Sequence, residues 1–422
     1  MKAALLYVTD GYPFVVEDNF SGDELQFLTA GPWDLLVLPK LRGMPPSPLP
    51  ACGYPLDTCL TAPDGQRIRF LADRRSLPLM AAEIRNSLAH HVLPRPVGLC
   101  KSVAVALHAR AALRRLILER GLHRRPLVLY AFWFLPVVAG AWMLRREFPH
   151  MRLVSRLHGI DLYGFQSPGG YLPFRFWRAR MADVFAPCSQ RGYDYLAAEG
   201  VPAAKLTRRY LGVPAAARTA AASPGEGLHL VSCSFAEPVK RLPLLARSLV
   251  ALARRHPEVR LHWHHVGDGP QFGEVKAAVG AAPANLRCTL HGRMSVGESR
   301  KFFEGEAAGG LDGLLCVSAS EGLPVSMMEA QTAGLPIVST DVGGVAEIAS
   351  PGTGLLLPAD FSQEQFDAAV LALRDQKKPE LREAVARQGR ERFSLENYRV
   401  FITDVLEPQM RISEELLRAR QG

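Results

Sequence analysis

The chain has 422 residues, 48% hydrophobic and 22% charged, with a mean hydropathy close to zero. That length predicts two or three domains and excludes a small stapled module, and the composition excludes a mainly disordered chain or a membrane bundle. The net charge of +9 sits in one half, since residues 1–213 hold 27 basic and 16 acidic side chains and 214–422 hold 23 and 25. An anionic partner for the first half is one reading of that surplus; a solvated Arg-rich surface is the other.

In chain order, AALLYV (3–8) leads to a turn at Asp10 and Gly11, and LLVLP (35–39) follows, each an apolar run of the kind that forms central parallel strands. Residues 99–119 place Val103, Leu107, Leu113 and Leu116 among Arg110, Arg114 and Arg115, a helix with a basic face. Residues 126–144 carry no charge and are long enough to span a bilayer, but Pro136 divides them into a strand, LVLYAFW, and a helix with proline in its first turn. RLVSRLHG (152–159) and DVFAPCS (183–189) complete a first Rossmann-like domain over 1–212.

Residues 213–227, VPAAARTAAASPGEG, read as a linker. Strands at 229–234, 259–267, 287–292, 313–318, 335–340 and 354–358, with a helix over 242–255, then predict a second Rossmann-like domain over 228–395, and 396–422 reads as a helical segment. The fold class is α/β, two doubly wound parallel sheets, with ligands expected in a cleft at the carboxyl ends of the strands. The seven cysteines form no CxxC pair, which suits a reducing compartment, and the N-terminus lacks a signal-peptide pattern, so a cytoplasmic location is expected.

The richest stretch is CVSASEGLPVSMMEAQTAGLPIVSTDVGG (316–344). A strand runs into Glu321, Gly322, Leu323 and Pro324, and a helix follows with proline at its first position. Free amides near Val325 and Ser326 make an anion site, and Gly322 permits close approach. Two carboxylates, Glu321 and Glu329, flank that site. An acid and base pair of a glycosidase is one reading, but both groups lie around one helix N-terminus, which suits a ligand with hydroxyls at both ends and phosphate between: a nucleotide sugar.

Glu321 and Glu329, eight positions apart, resemble the Glu-x7-Glu signature of retaining glycosyltransferases of family 4, of the bacterial cell-surface polysaccharide type. SCSFAEPVKRLPLLARSLVAL (232–252), WHHVGDGPQF (263–272), HGR (291–293) and STDVGGVAEI (339–348) occur in that family's order, and SRLHGIDLYG (155–164), YLPFR (171–175) and YPFVVEDNFSGDEL (12–25) are similar to its N-terminal segments. The resemblance implies a GT-B fold and a retaining, metal-independent hexosyl transferase acting on a nucleotide-diphosphate sugar. By it, Lys240 neutralises the donor diphosphate, Glu321 holds the transferred sugar, Glu329 the ribose, and Gly322, Leu323, Pro324, Val325 and Ser326 supply main-chain contacts. Arg293 lies near the base, Gly267 and Gly269 near the nucleotide, Gly11 in the opening loop, and His158 against the donor sugar. Phe235 stands where relatives usually have an arginine, so Arg241 and Arg156 are the candidates for a second positive charge.

His262 and His264 share a strand face with no third ligand of suitable spacing after them, so no metal centre and no cofactor are expected. The expected acceptor is a lipid-linked oligosaccharide or polysaccharide; the Arg-rich segments 108–125 and 171–181 suit either an approach from an anionic membrane surface or inner helices with an Arg-rich solvent face. No nucleic-acid motif accompanies the charge. An NDP-sugar epimerase or an inactive nucleotide-sugar binding protein is the alternative from another class.

Overall fold

The computed structural model describes residues 2–14, 19–40, 53–62, 64–134 and 136–420. Cys52 and part of the 12–25 segment lie outside the described residues; the six described cysteines are free thiols. The chain divides into two units, one of Met1–Tyr210 with Glu396–Gly422 and one of Leu211–Leu395.

The first unit holds β1 (Ala4–Thr9), β2 (Asp34–Pro39), β3 (Leu127–Ala131), β4 (Arg152–Leu157) and β5 (Val184–Pro187). They form a parallel sheet in the order β2-β1-β3-β4-β5, with Leu6 opposite both Leu36 and Leu129. Every residue of β1 and β3 is buried, as expected of strands covered on both faces. Its helices are α1 (Asn19–Thr29), α2 (Asp64–Arg67), α3 (Ser76–Ala89), α4 (Pro96–Glu119), α5 (Pro136–Met143) and α6 (Gln190–Ala198), with α13 (Glu396–Phe401) and α14 (Glu407–Arg418) added from the C-terminal end. Val103, Leu107, Leu113 and Leu116 bury one side of α4. Gly140 lets α5 lie close against it, because a Cβ there would meet Ala106 O at 2.3 Å. The uncharged stretch 126–144 is thus β3 plus α5, and among the described residues no helix is long and apolar enough to cross a membrane.

The C-terminal segment packs on the first sheet. Ser413 Oγ accepts from Leu127 N at 2.8 Å, and Arg152 Nε donates to Gln409 Oε1 at 2.8 Å.

The second unit holds β6 (Leu228–Cys233), β7 (Leu261–Val266), β8 (Leu286–Gly292), β9 (Gly313–Cys316), β10 (Ile337–Thr340) and β11 (Gly354–Leu357), parallel in the order β11-β10-β9-β6-β7-β8. Its helices are α7 (Leu242–Arg255), α8 (Phe272–Val279), α9 (Val296–Phe303), α10 (Val325–Thr332), α11 (Gln363–Leu371) and α12 (Pro379–Arg392). Leu245, Leu249 and Leu252 form the buried stripe of α7. Ser295 and Glu298 cap α9 reciprocally. The chain winds from β6 outward to β8 and then returns to β9 on the other side of β6. The β6/β9 boundary is therefore the topological switch point, where loops at the carboxyl ends diverge and leave room for a ligand.

The stretch 213–227 is not a free linker. Val213 N donates to Phe393 O at 2.8 Å, Ala220 N to Ala333 O at 2.8 Å and Ser223 N to Asp312 Oδ1 at 2.9 Å. Glycines of the second unit let it lie close: a Cβ on Gly310 would meet Ala222 O at 2.5 Å, and one on Gly334 would meet Thr219 Cγ2 at 2.6 Å. With its backbone groups paired in this way, the segment is a strap on the second unit.

Candidate functional site

The loops on either side of the second unit's switch point carry the opposite charges. Lys240 ends a short 3-10 turn after β6, and Glu321 lies in the loop after β9. Their side chains meet, with Lys240 Nζ 2.6 Å from Glu321 Oε1. The backbones are joined as well, since Ala319 N donates to Val239 O at 2.7 Å. Burial works against the Lys240 ammonium, but the Glu321 carboxylate outweighs it and raises the pKa above the ordinary lysine value. Cys233, Ser234, Cys316 and Ser326 line the small cavity around the pair.

Helix α10 begins beside this cavity. Pro324 is its cap in an extended conformation and Val325 its first residue, one position later than the spacing predicts, and Met327 N and Met328 N turn back to Pro324 O at 3.2 Å. Amides of the first turn have no partner within their own helix, so those of Val325 and Ser326 are the ones the geometry offers to an anion. Leu323 is buried, Gly322 O accepts from Gly344 N at 2.7 Å, and a Cβ on Gly343, whose φ is 55°, would fall 1.7 Å from Glu321 O. A glycine at 343 is thus required for the Glu321 loop to take its path.

Glu329 is buried in the second turn of α10 and accepts from Arg300 Nε of α9 at 2.7 Å. Sequence reasoning missed Arg300. Its partner lies 29 positions away on another helix, and nothing in the local pattern marks the contact.

Gly267 and Gly269 have φ of 135° and 141° and shape a turn against the loop after β6; a Cβ on Gly267 would meet Ser234 O at 2.0 Å. Arg293 is exposed in the loop between β8 and α9, and Phe235 is 45% exposed. Arg241 does not extend into this space. Its guanidinium donates to Val317 O at 2.6 Å, Ala359 O at 2.7 Å and Ser318 O at 3.2 Å, which ties the chain after β9 to the chain after β11.

Arg156 is also otherwise engaged. It is 0% exposed in the first unit, where it donates to Glu24 Oε1 at 3.0 Å, Tyr130 Oη at 2.8 Å and Arg209 O at 2.9 Å, with Phe401 4.1 Å below its guanidinium. Burial opposes the charge, but Glu24 outweighs it and holds the group protonated. A charge so enclosed joins α1, β3, β4 and α13 and has no face left for a ligand.

His158, at the end of β4, is buried between Phe132 and Trp133, with ring centroids at 4.7 and 4.2 Å, and neither ring nitrogen has a hydrogen-bond partner. Its backbone N–H donates to Asp161 Oδ1 at 2.8 Å, and Asp161 Oδ2 accepts from Phe134 N at 2.8 Å. Asp161 thus clamps the loops after β3 and β4 together. His158 Nδ1 stands 4.0 Å from Asp161 Oδ2, beyond hydrogen-bond reach, and a buried imidazole without a hydrogen bond is unusual unless something else completes it. Gly11, after β1, is buried and accepts from Phe14 N at 2.7 Å.

The two segments expected on a membrane have their apolar side chains in the core. Leu113, Leu116 and Ile117 of α4 are buried, and so are Tyr171, Phe174, Trp177 and Met181. Arg114 pairs with Glu147, Arg120 with Asp57, and Arg178 with Glu199. Six exposed apolar side chains of the first unit fall instead within 68–97, where Leu77, Leu93 and Val97 are 76%, 75% and 70% exposed, with Ile68, Ile84 and Leu88 also exposed; Ile160 and Phe165, after β4, are exposed as well. Arg69, Arg74, Arg85 and Arg95 are exposed among them, while Glu83 is buried and Asp73 is paired with Arg75.

Residues 216–392 match the family described as Glycosyl transferases group 1. The matched segment holds Lys240, Arg300, Glu321 and Glu329. A D-inositol 3-phosphate glycosyltransferase of Saccharomonospora viridis is 28% identical over 45% of this chain and 44% of its own. A putative colanic acid biosynthesis glycosyltransferase, WcaL of Salmonella typhimurium, is 25% identical over 50% of this chain and 53% of its own. The chain therefore spans about half the length of the curated relatives it matches. The structure of Anabaena HepE in complex with UDP and glucose superposes with a TM-score of 0.64 at 17% identity, covering 96% of this chain and all of that one. The fold is GT-B, as the paired parallel sheets of five and six strands indicate.

Proposed function

We propose that the protein is a retaining glycosyltransferase of family 4 that moves a sugar from a nucleoside-diphosphate sugar to a saccharide acceptor, lipid-linked or polymeric, in cell-surface polysaccharide synthesis. The observation that carries this reading is the Lys240–Glu321 pair at the switch point, beside the start of α10. An ammonium has three donors, so Lys240 keeps Glu321 and still reaches a diphosphate oxygen. The amides of Val325 and Ser326 take the same diphosphate. Glu321 accepts from the hydroxyls of the transferred sugar and Glu329, oriented by Arg300, from the ribose.

In the transfer step the bond from the anomeric carbon to the diphosphate oxygen breaks and a bond to the acceptor oxygen forms on the same face, through an oxocarbenium-like species. The acceptor proton passes to the departing diphosphate, whose charge Lys240 and the helix amides stabilise. His158 is assigned to the donor sugar, and no step is routed through a metal. HepE was crystallised with UDP and glucose, which supports a nucleotide-sugar donor here. The lipid-linked acceptor would be met at the cytoplasmic face of a membrane through the exposed 68–97 segment, whose exposed apolar side chains and arginines suit an anionic bilayer.

The test is incubation of the protein with labelled UDP-, GDP- and ADP-sugars and a membrane lipid extract, followed by NMR of the new linkage. Label in the lipid or polymer fraction with the donor's anomeric configuration is expected. Recovery of an epimerised sugar nucleotide without transfer overturns the reading in favour of an epimerase, and binding without turnover favours an inactive binding protein. Added Mg2+ or Mn2+ is expected to leave the rate unchanged; a dependence on either contradicts metal-independent transfer.

A further inference from the structure

Three imidazoles meet on one face of the second unit's sheet. His262 and His264 alternate along β7, and His229 of β6 lies opposite His262 in register. One nitrogen of each ring lies within 4.8 Å of the others. The ring centroids of His262 and His264 are 3.8 Å apart, and those of His229 and His262 are 5.2 Å apart.

Each ring also has one nitrogen engaged by a neighbour, as metal-binding histidines do. His229 Nδ1 faces Ala308 O at 3.1 Å and Gly310 O at 3.2 Å; carbonyls only accept, so Nδ1 carries the proton and Nε2 keeps its lone pair. His262 Nε2 lies 2.8 Å from Thr289 Oγ1, leaving Nδ1. His264 Nδ1 lies 3.0 Å from His291 Nε2, and its own Nε2 is buried without a partner. A histidine ligand whose second nitrogen donates to a carbonyl, hydroxyl or imidazole has its tautomer and ring plane fixed for coordination. His264 is 4% exposed, so its unpartnered nitrogen is shielded from bulk solvent. Phe302 of α9 covers the inner side, with ring centroids 5.4 Å from His264 and 4.8 Å from His291, while His229 and His262 are only partly buried and leave an entry path.

We infer that His229, His262 and His264 form a binding site for a borderline transition-metal ion, Zn2+ by preference, with His291 as the outer partner that orients His264 and with a fourth position open to solvent. Three neutral imidazoles in tetrahedral array suit Zn2+ and exclude Mg2+ and Ca2+, which take oxygen ligands. At Zn–N distances of about 2.0–2.1 Å, tetrahedral ligand atoms stand about 3.4 Å apart. The ion ties β6 to β7 on the sheet face against Phe302 of α9, and none of its three ligands belongs to the Lys240–Glu321 pair.

The test uses the full chain without a histidine tag, stripped of metal and then exposed to Zn2+ or Co2+. The wild type is expected to retain one equivalent of Zn2+ through gel filtration, to give the visible absorption of tetrahedral Co2+, and to melt at a higher temperature with Zn2+ than without it. His229→Asn and His262→Gln are expected each to weaken Zn2+ binding at least tenfold and to abolish the shift in melting temperature, with circular dichroism confirming the fold. The exposed-position control His90→Gln retains both. Failure of the wild type to hold Zn2+ at micromolar concentration, or retention of the same affinity by both folded variants, overturns the assignment.

Discussion

Lys240 Nζ lies 2.6 Å from Glu321 Oε1, and the two residues come from loops on opposite sides of the β6/β9 switch point. Neither charge is left alone in a half-enclosed site before a donor arrives, and the ammonium is held where a diphosphate beside α10 would need it. Lys240→Ala is expected to lower kcat/KM by roughly 100-fold, the usual cost of one electrostatic stabiliser of a leaving group, and Glu321→Gln by at least about tenfold. Steady-state kinetics with the preferred sugar nucleotide measure both. Near-wild-type turnover of the Lys240 variant removes this residue from the site.

Arg300 acts at one remove. Its contact is with Glu329, and its expected role is to orient the carboxylate that takes the ribose hydroxyls. Arg300→Ala should therefore raise the donor KM about three- to tenfold with a smaller change in kcat, and Arg300→Lys should recover part of the loss. A fall confined to kcat would mean that Arg300 contacts the reacting groups themselves.

The exposed side chains of 68–97 make a prediction about acceptor delivery. Leu77, Ile84 and Leu88 recur on one face of α3, flanked by Arg85 and His90. The double variant Leu77→Ser with Leu88→Ser should reduce sedimentation with phosphatidylglycerol vesicles several-fold while leaving activity on a soluble acceptor intact. If binding to vesicles is unchanged, the patch serves another purpose. Neutralising Arg114, whose carboxylate partner is Glu147, should do little in the same assay.

Strands β1 and β3 were legible in the sequence as short apolar runs, because parallel strands buried on both faces have almost no polar residues to interrupt them, whereas β7 with its three histidines and the half-exposed β8 carry a weaker signal. The helix start at 324–325 was legible to within one residue from a proline after a glycine-leucine pair. What stayed hidden depends on partners far apart in the chain. The 213–227 stretch has the composition of a flexible linker, yet its backbone is paired with Phe393, Ala333 and Asp312, and the small size of Gly310 and Gly334 lets it lie close. Arg156 reads as a free cation until Glu24, 132 positions earlier, is placed beside it. His229 completes a group of three with His262 and His264 only once β6 and β7 are paired in register, and local spacing carries no trace of that.

Histidine burial also sets a pH limit. His108, on α4, packs at 5.2 Å from the ring of Phe70, and burial, with Arg67 and Arg69 nearby, lowers its pKa to about 4. Above about pH 6.5 the ring is neutral in both folded and unfolded chains and contributes no pH dependence. Between about 6.5 and 4 the unfolded chain takes up a proton that the folded one refuses, so stability falls as the pH falls, by up to roughly 1.4 kcal/mol per unit for this one group. His108→Gln, which cannot titrate, should narrow the gap between melting temperatures measured at pH 7.5 and pH 5 by several degrees. The wild type and the variant are compared at both pH values by differential scanning calorimetry. An unaltered gap would show that His108 titrates in the folded protein as it does in the unfolded one.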